Sequence, residues 1–306
     1  MTTGDITEVT AGDCTDLYYL ETGMYGTDEY TAVYLLDAER PALIETGIGT
    51  DYELIREAMA EVGIAPDDLE VIAPTHVHLD HAGGAGFLAA DCPNAEVIAH
   101  EKGAPHLVDP ARLWEGTKQA VGGQIEFYTE PRPVPKEQVR AVTDGDVIDL
   151  GNHELRVHHA PGHAPHHCVF EDPANDAVFT ADAAGIYVPT LDQIEPTSPP
   201  PTFNVEQCLD DVDTLAAIDP DVLLYTHFGA VEADGELREY KQVLSEWVDT
   251  VEQTRGSLED DEAVIDELVS QKLADDGLLE AWGEKKLRAE TRMNVRGVLG
   301  YLDWRA

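Results

Sequence analysis

Six residues of this chain, His76 to His81, hold three imidazoles and one carboxylate within the string Thr75-His76-Val77-His78-Leu79-Asp80-His81-Ala82-Gly83-Gly84. Neutral histidine and aspartate are common ligands of zinc and related divalent ions. In an extended loop the His-x-His pair places both side chains on one side, where they can reach a single ion. The adjacent Asp80-His81 can then turn toward a second. Small residues at 82–84 let the backbone pass close to such ions and enter a helix near Ala85. A bare His-x-His is more often an ordinary surface or core pair; the full string is not explained that way.

The string resembles the signature of the metallo-β-lactamase superfamily, and the likeness continues downstream. Pro161-Gly162-His163 follows the apolar-alternating run Glu154–His159, Asp182 follows Val178-Phe179-Thr180-Ala181, and His227 follows Val222–Thr226. The resemblance implies that His76, His78 and His163 hold one metal, that Asp80, His81 and His227 hold a second, and that Asp182 bridges them. It implies zinc, two per chain, with Fe2+ or Mn2+ as alternatives. Two such ions sharing a water lower its pKa to about 7, which suits hydrolysis; the resemblance to glyoxalase II-like and lactonase-like members implies a thioester, ester or lactone as substrate, with Asp80 and Asp182 positioning the nucleophile. A persulfide dioxygenase would use one iron on the equivalents of His76, His163 and Asp182. A scaffold recruited for binding alone would be expected to have lost a ligand, and every position is filled here.

Departures accompany the match. Glu45 stands where many members carry aspartate before Thr46-Gly47, so its contacts to the ligands are open. His167 either orients a ligating imidazole through a ring nitrogen or is a buried structural residue. Tyr187 fits an oxyanion donor or a packed tyrosine. His100, His106, His153, His158 and His159 match no ligand spacing. Trp282, Tyr301 and Trp304 at helical spacing fit core or oligomer contacts. Arg288, Arg292 and Arg296 share one helical face and either receive an anionic substrate group or offset local acid.

Short apolar runs alternate with helical patterns around these motifs. Strands are expected at Tyr30–Leu36, Ala42–Glu45, Val71–Ala73, Glu96–Ala99, Val139–Val142, Glu154–His159, His167–Glu171, Ala177–Thr180 and Val222–Tyr225, and a helix over Asp51–Val62. Residues 101–135 read as a Pro- and Gly-punctuated insertion lying over a site. Glu195–Phe203 reads as a stiff proline-rich surface loop. Helices are expected near Glu236–Thr254, Asp261–Ala274 and Leu279–Trp304. Periodicity alone gives a mixed α/β chain; the resemblance implies a four-layer αβ/βα sandwich over residues 6–232, followed by a helical region over 233–306.

The chain's 306 residues carry 61 acidic and 19 basic side chains, a net charge of −42. Acid this dispersed is not a binding tail, and it resembles proteins of salt-accumulating halophiles, where concentrated salt screens the repulsion. A nucleic-acid partner is excluded by the same deficit of cations. The four cysteines have no Cys-x-x-Cys spacing, and no leader or membrane-length apolar run is seen. A cytoplasmic setting, a small-molecule substrate and a possible homodimer are the expectations.

Overall fold

The structure, a computed structural model, describes residues 1–258 and 260–305; Glu259 and Ala306 of the expected helical region lie outside them. Seven strands form the first sheet in sequence order: β1 (Ile6–Glu8), β2 (Leu17–Glu21), β3 (Ala32–Leu36), β4 (Ala42–Ile44), β5 (Val71–Ala73), β6 (Glu96–His100) and β7 (Val139–Val142). Pairing is antiparallel from β1 to β4 and parallel from β4 to β7. The second sheet contains β8 (Val147–Asp149), β9 (Glu154–His159), β10 (Cys168–Asp172), β11 (Ala177–Phe179), β14 (Val222–Tyr225) and β15 (Gly229–Glu232), in the order β15-β14-β11-β10-β9-β8. A hairpin of β12 (Ile186–Val188) and β13 (Gln193–Glu195) stands apart.

Side-chain alternation assigns the layers. Tyr34 and Leu36 of β3 meet Phe170 of β10, Phe179 of β11 and Leu224 of β14 between the sheets. The intervening Val33 and Leu35 face the other way, onto α1 (Tyr52–Val62) and α3 (Ala85–Asp91), through Ile55, Met59 and Leu88. On the outer face of the second sheet, Val169, Val178 and Leu223 pack on Leu215 of α6 (Val205–Ile218). The result is helix, sheet, sheet, helix, a metallo-β-lactamase-type sandwich in which both strand faces are apolar. The Tyr34 hydroxyl donates to the Tyr225 carbonyl across the middle layer at 2.7 Å.

Sequence expectations and structure differ most in three places. The pattern does not mark α6, because its Asp210-Asp211-Val212-Asp213 run interrupts the apolar face although Asp211 is buried. The insertion folds into α4 (Ala104–Val108), α5 (Ala111–Val121) and a 3-10 turn over Gly122–Phe127. The proline-rich stretch is not a surface loop: Thr197, Ser198 and Phe203 are buried. It is covered by α7 (Glu236–Ser257), α8 (Asp261–Leu273) and α9 (Asp276–Arg305), which pack with α6 into a separate core. Ser198 Oγ donates to the Asn294 carbonyl at 3.0 Å and accepts from Trp247 Nε1 at 3.0 Å. Gly283 (φ 71°, ψ 157°) breaks α9, so that Leu278, Trp282 and Leu287 reach back to Met24, Tyr30 and Leu79. Tyr301 is likewise buried, whereas Trp304 is 74% exposed and contributes nothing to the core.

Candidate metal centre

Strand ends deliver the chemistry. The loop after β5 carries His76 and His78, and a single turn, α2 (Leu79–Ala82), presents Asp80 and His81. His163 follows β9, Asp182 follows β11, and His227 follows β14. Two glycines allow the loop to pack tightly. A Cβ on Gly83 would lie 2.4 Å from the Leu79 carbonyl oxygen, and one on Gly84 2.3 Å from that of Thr46.

All seven residues converge. His76 Nε2 is 2.9 Å and His163 Nε2 3.2 Å from His78 Nδ1. Asp182 Oδ2 lies 3.0 Å from His81 Nε2 and 3.7 Å from both His76 Nε2 and His163 Nε2, while its Oδ1 is 3.9 Å from His227 Nε2. Asp80 Oδ2 is 3.8 Å from His81 Nε2. The donors therefore form one group of His76, His78 and His163 and another of Asp80, His81 and His227, with the Asp182 carboxylate between them.

Hydrogen bonds on the far ring nitrogens set the tautomers. Thr75 Oγ1 donates to Glu45 Oε1 at 2.6 Å, so it accepts from His76 Nδ1 at 3.2 Å. Thr197 Oγ1 donates to the Asp182 carbonyl at 3.3 Å, so it accepts from His163 Nδ1 at 3.3 Å. His227 Nδ1 donates to the Tyr30 carbonyl at 3.0 Å, and His81 Nδ1 lies 3.1 Å from Glu45 Oε1. The Nε2 atoms of all four rings are thereby turned to the centre of the site, and His76, His163 and His227 present lone pairs there, the arrangement that ligating imidazoles require.

Burial reinforces this. Desolvation, aided by neighbouring imidazoles, holds His76 and His163 well below the ordinary histidine range, and it also lowers His78. Burial opposes charge on His81 as well, but Glu45 and Asp182 outweigh it and raise its pKa. Burial alone would raise Asp182; the surrounding imidazoles instead hold it ionised. Its Oδ2 is buried with no hydrogen-bond partner. An orphaned buried carboxylate oxygen among inward lone pairs is costly unless a cation is held there, so the donor set fits divalent metal.

Several residues outside the string take defined places. Glu45 is fully buried and accepts from Thr75, His81 and, at 3.0 Å, Thr226 Oγ1, tying three ligand-bearing segments together. His167 Nε2 accepts the Asp182 backbone N–H at 3.3 Å, so it supports a backbone and not an imidazole; burial lowers its pKa to about 3. Tyr187 is no oxyanion donor: its hydroxyl donates to Asp192 at 2.8 Å, and it stands outside the cavity over the site. Arg288, Arg292 and Arg296 also stand outside it, paired with Glu284, Asp266 and Glu262. Their offsetting role is therefore the one realised. Among the unmatched histidines, His100 and His159 stack at 4.1 Å, His153 pairs with Asp172 at 3.0 Å and His158 with Glu171 at 2.8 Å.

A cavity of about 420 Å³ opens over the centre, reaching His78, Asp80, His163, Asp182 and His227. Its walls are Tyr25, Tyr30 and Tyr128, the Pro199–Thr202 stretch, α4 and α5, and Glu290, Met293 and Asn294 of α9. The insertion expected over a site thus supplies α4, α5 and Tyr128, whereas no motif in the sequence singles out Tyr25, Tyr30, Glu290, Met293 or Asn294. Tyr30 reaches Glu290 Oε2 with its hydroxyl at 3.1 Å, its ring stands 4.9 Å from that of His227, and Lys286 lies over the ring at 3.8 Å.

The sequence model of the metallo-beta-lactamase superfamily matches residues 26–227. The chain belongs to this superfamily. Its members are mostly metal-dependent hydrolases. Over 237 residues it is 25% identical to the metallo-beta-lactamase fold-containing protein ST1585 of Sulfurisphaera tokodaii, covering 76% of this chain and 85% of that one. It is 27% identical over 184 residues to the acyl-coenzyme A thioesterase MBLAC2 of Gallus gallus, covering 54% of this chain and 62% of that protein's length. Among solved structures, ST1585 superposes with a TM-score of 0.68 at 22% identity, covering 94% of this chain and 99% of that one. The family protein TTHA1429 of Thermus thermophilus gives 0.67 at 20%, covering 95% and 94%. Likeness at that identity establishes the fold alone. Among the described residues, no helix is long and apolar enough to cross a membrane.

Proposed function

We propose that the protein is a binuclear metal-dependent hydrolase that cleaves an acyl thioester, with residues 6–232 as its catalytic unit and 233–306 as a helical region completing the pocket. The observation that carries this reading is the second donor group: Asp80, His81 and His227 lie within ligand reach of one another, beside the first group of His76, His78 and His163. A one-iron dioxygenase needs only His76, His163 and Asp182 and leaves that second group without a role.

Two divalent ions, zinc in our reading, would be held by these residues and would supply a water acidified to about neutral pKa and a Lewis acid for a carbonyl. The chain's own contribution is placement. Asp182 separates the two donor groups and, kept ionised, would offset the positive charge of the cations they would hold. Asp80 faces the cavity and can take a proton from the attacking water. Glu45 and the Thr75 hydroxyl fix the rings of His81 and His76, so little reorganisation accompanies the reaction. The apolar and aromatic walls exclude bulk water from the acyl chain.

The thioester preference draws on the similarity to the acyl-coenzyme A thioesterase and on the cavity, whose Leu79, Leu113, Val121 and Ile186 suit an acyl chain. Thiol release from short acyl thioesters by metal-loaded protein tests it. Turnover is expected for wild type and a loss of at least about 10³-fold for Asp182→Asn; absence of thiol release across acyl chain lengths would reject the thioester.

A further inference from the structure

Fourteen of the chain's 19 lysines and arginines pair with a carboxylate; among the described residues Lys102, Arg112, Arg132, Lys136 and Arg238 do not. With acidic residues outnumbering basic ones threefold, a cation left without one is unusual. Two of the five, Lys102 and Arg112, line the cavity over the metal centre, with His106 beside them. All three come from the segment between β6 and β7. Besides Asp80 and Asp182, the carboxylate on the cavity wall is Glu290, which Lys286 already neutralises and which accepts from Tyr30 and Asn294. The positive side chains therefore face the cavity with no internal counter-charge.

Their placement is fixed from below. A Cβ on Gly103 would lie 3.0 Å from Val77 Cγ1 and 3.2 Å from His166 Cβ, so the backbone beside Lys102 is pressed onto the metal loop. Gly116, one turn after Arg112 on α5, also lines the cavity, and a Cβ there would meet nothing within 4 Å. The face of α5 between Arg112 and the interior is thus open to a ligand. A guanidinium matches two oxygens of a phosphate or carboxylate at once, and an ammonium adds a mobile point charge.

We infer that Lys102, His106 and Arg112 form an anion-receiving rim that selects thioesters carrying a phosphate or carboxylate away from the scissile carbonyl. This rests on the thioesterase reading for the identity of the reacting bond. An anion there would be shielded from the rest of the acidic surface, since repulsion beyond about 8 Å is largely screened at physiological ionic strength.

The test uses metal-loaded wild type and the double variant Lys102→Gln/Arg112→Gln, both changes lying on exposed residues, at one fixed ionic strength. Binding of coenzyme A and of pantetheine is measured by calorimetry; both carry the same thiol, and only the first carries phosphates. Hydrolysis of succinyl and butyryl thioesters of N-acetylcysteamine is measured in parallel, a pair differing by a carboxylate. The expected result is at least about tenfold weaker binding of coenzyme A in the variant, with pantetheine unchanged, which assigns the phosphate. A rise in KM confined to the succinyl thioester assigns the carboxylate instead. Wild type that treats charged and neutral probes alike, or a variant that alters neither, overturns the rim. Binding is read without turnover, so coenzyme A bound through the rim but no thioester cleaved would sink the hydrolase and leave the rim. Neutral thioesters cleaved without charge discrimination would do the reverse.

Discussion

Glu45 is the side chain on which most of the site's geometry depends. It is held at φ 71°, a strained setting for a residue with a Cβ, and from there one carboxylate receives the Thr75 and Thr226 hydroxyls and faces His81 Nδ1. Glu45→Gln keeps the volume but loses the charge facing His81. A loss of about 10–100-fold in metal affinity is expected, read by competition with a chelator, with the fold intact by circular dichroism. Asp211 offers a second test. Burial raises its pKa to about 7 although its Oδ2 accepts the Gly162 N–H at 2.7 Å. The folded chain then binds this proton more tightly than the unfolded one, so the group's contribution to stability falls as pH rises from about 4 to about 7 and is flat above. Asp211→Asn removes that decline, and a gain of about 1–3 kcal/mol at pH 8 that vanishes near pH 4 is expected from denaturant midpoints. His76, His78, Asp80 and His81 are legible in the sequence because type and spacing restrict them within one short string, whereas His163, Asp182 and His227 are legible only through the family resemblance. The role of Glu45 is not, since the partners of one carboxylate depend on loops distant in sequence. Tyr187 fits an oxyanion donor by position, yet Asp192, five residues away, takes its hydroxyl outward. Tyr30 and Glu290, separated by 260 positions, give no signal at all.

Elements are readable where one period persists. The strands at Val71–Ala73, Val139–Val142, Glu154–His159 and Val222–Tyr225 stand as expected, each a run of apolar or alternating residues bounded by polar or turn-forming ones. Strands β8 and β12 are not marked by the pattern. The proline-rich stretch reads as surface because composition cannot register that α9 lies over it. That contact is close: a Cβ on Gly297 would stand 1.7 Å from the Ser198 carbonyl oxygen. Gly297→Ala must therefore lift α9 from the cavity wall, and a destabilisation of about 1–3 kcal/mol is expected, with a raised KM because Pro199–Thr202 would shift. Unchanged thermal unfolding and KM would show that the helix accommodates the methyl group.

At the scale of the whole molecule, the four-layer arrangement follows from the family likeness, since periodicity reveals elements but not their stacking. The net charge of −42 acts on the molecule as a whole. Its ion pairs are mostly exposed and individually worth less than about 1 kcal/mol, so general screening should outweigh their loss. The midpoint of thermal unfolding should rise as sodium chloride increases from about 0.1 M to about 2 M; a fall would mean that the surface pairs dominate. Charge also bears on the centre, where five imidazoles and two carboxylates around an orphaned oxygen make sense only with cations present. The most direct measurement is metal content by plasma mass spectrometry on protein purified without added metal, for wild type and for Asp80→Ala/His227→Ala. About two zinc ions per wild-type chain, falling to about one in the variant, are expected. A single iron per chain unaffected by the variant, or no metal taken up on titration, would contradict a binuclear hydrolase.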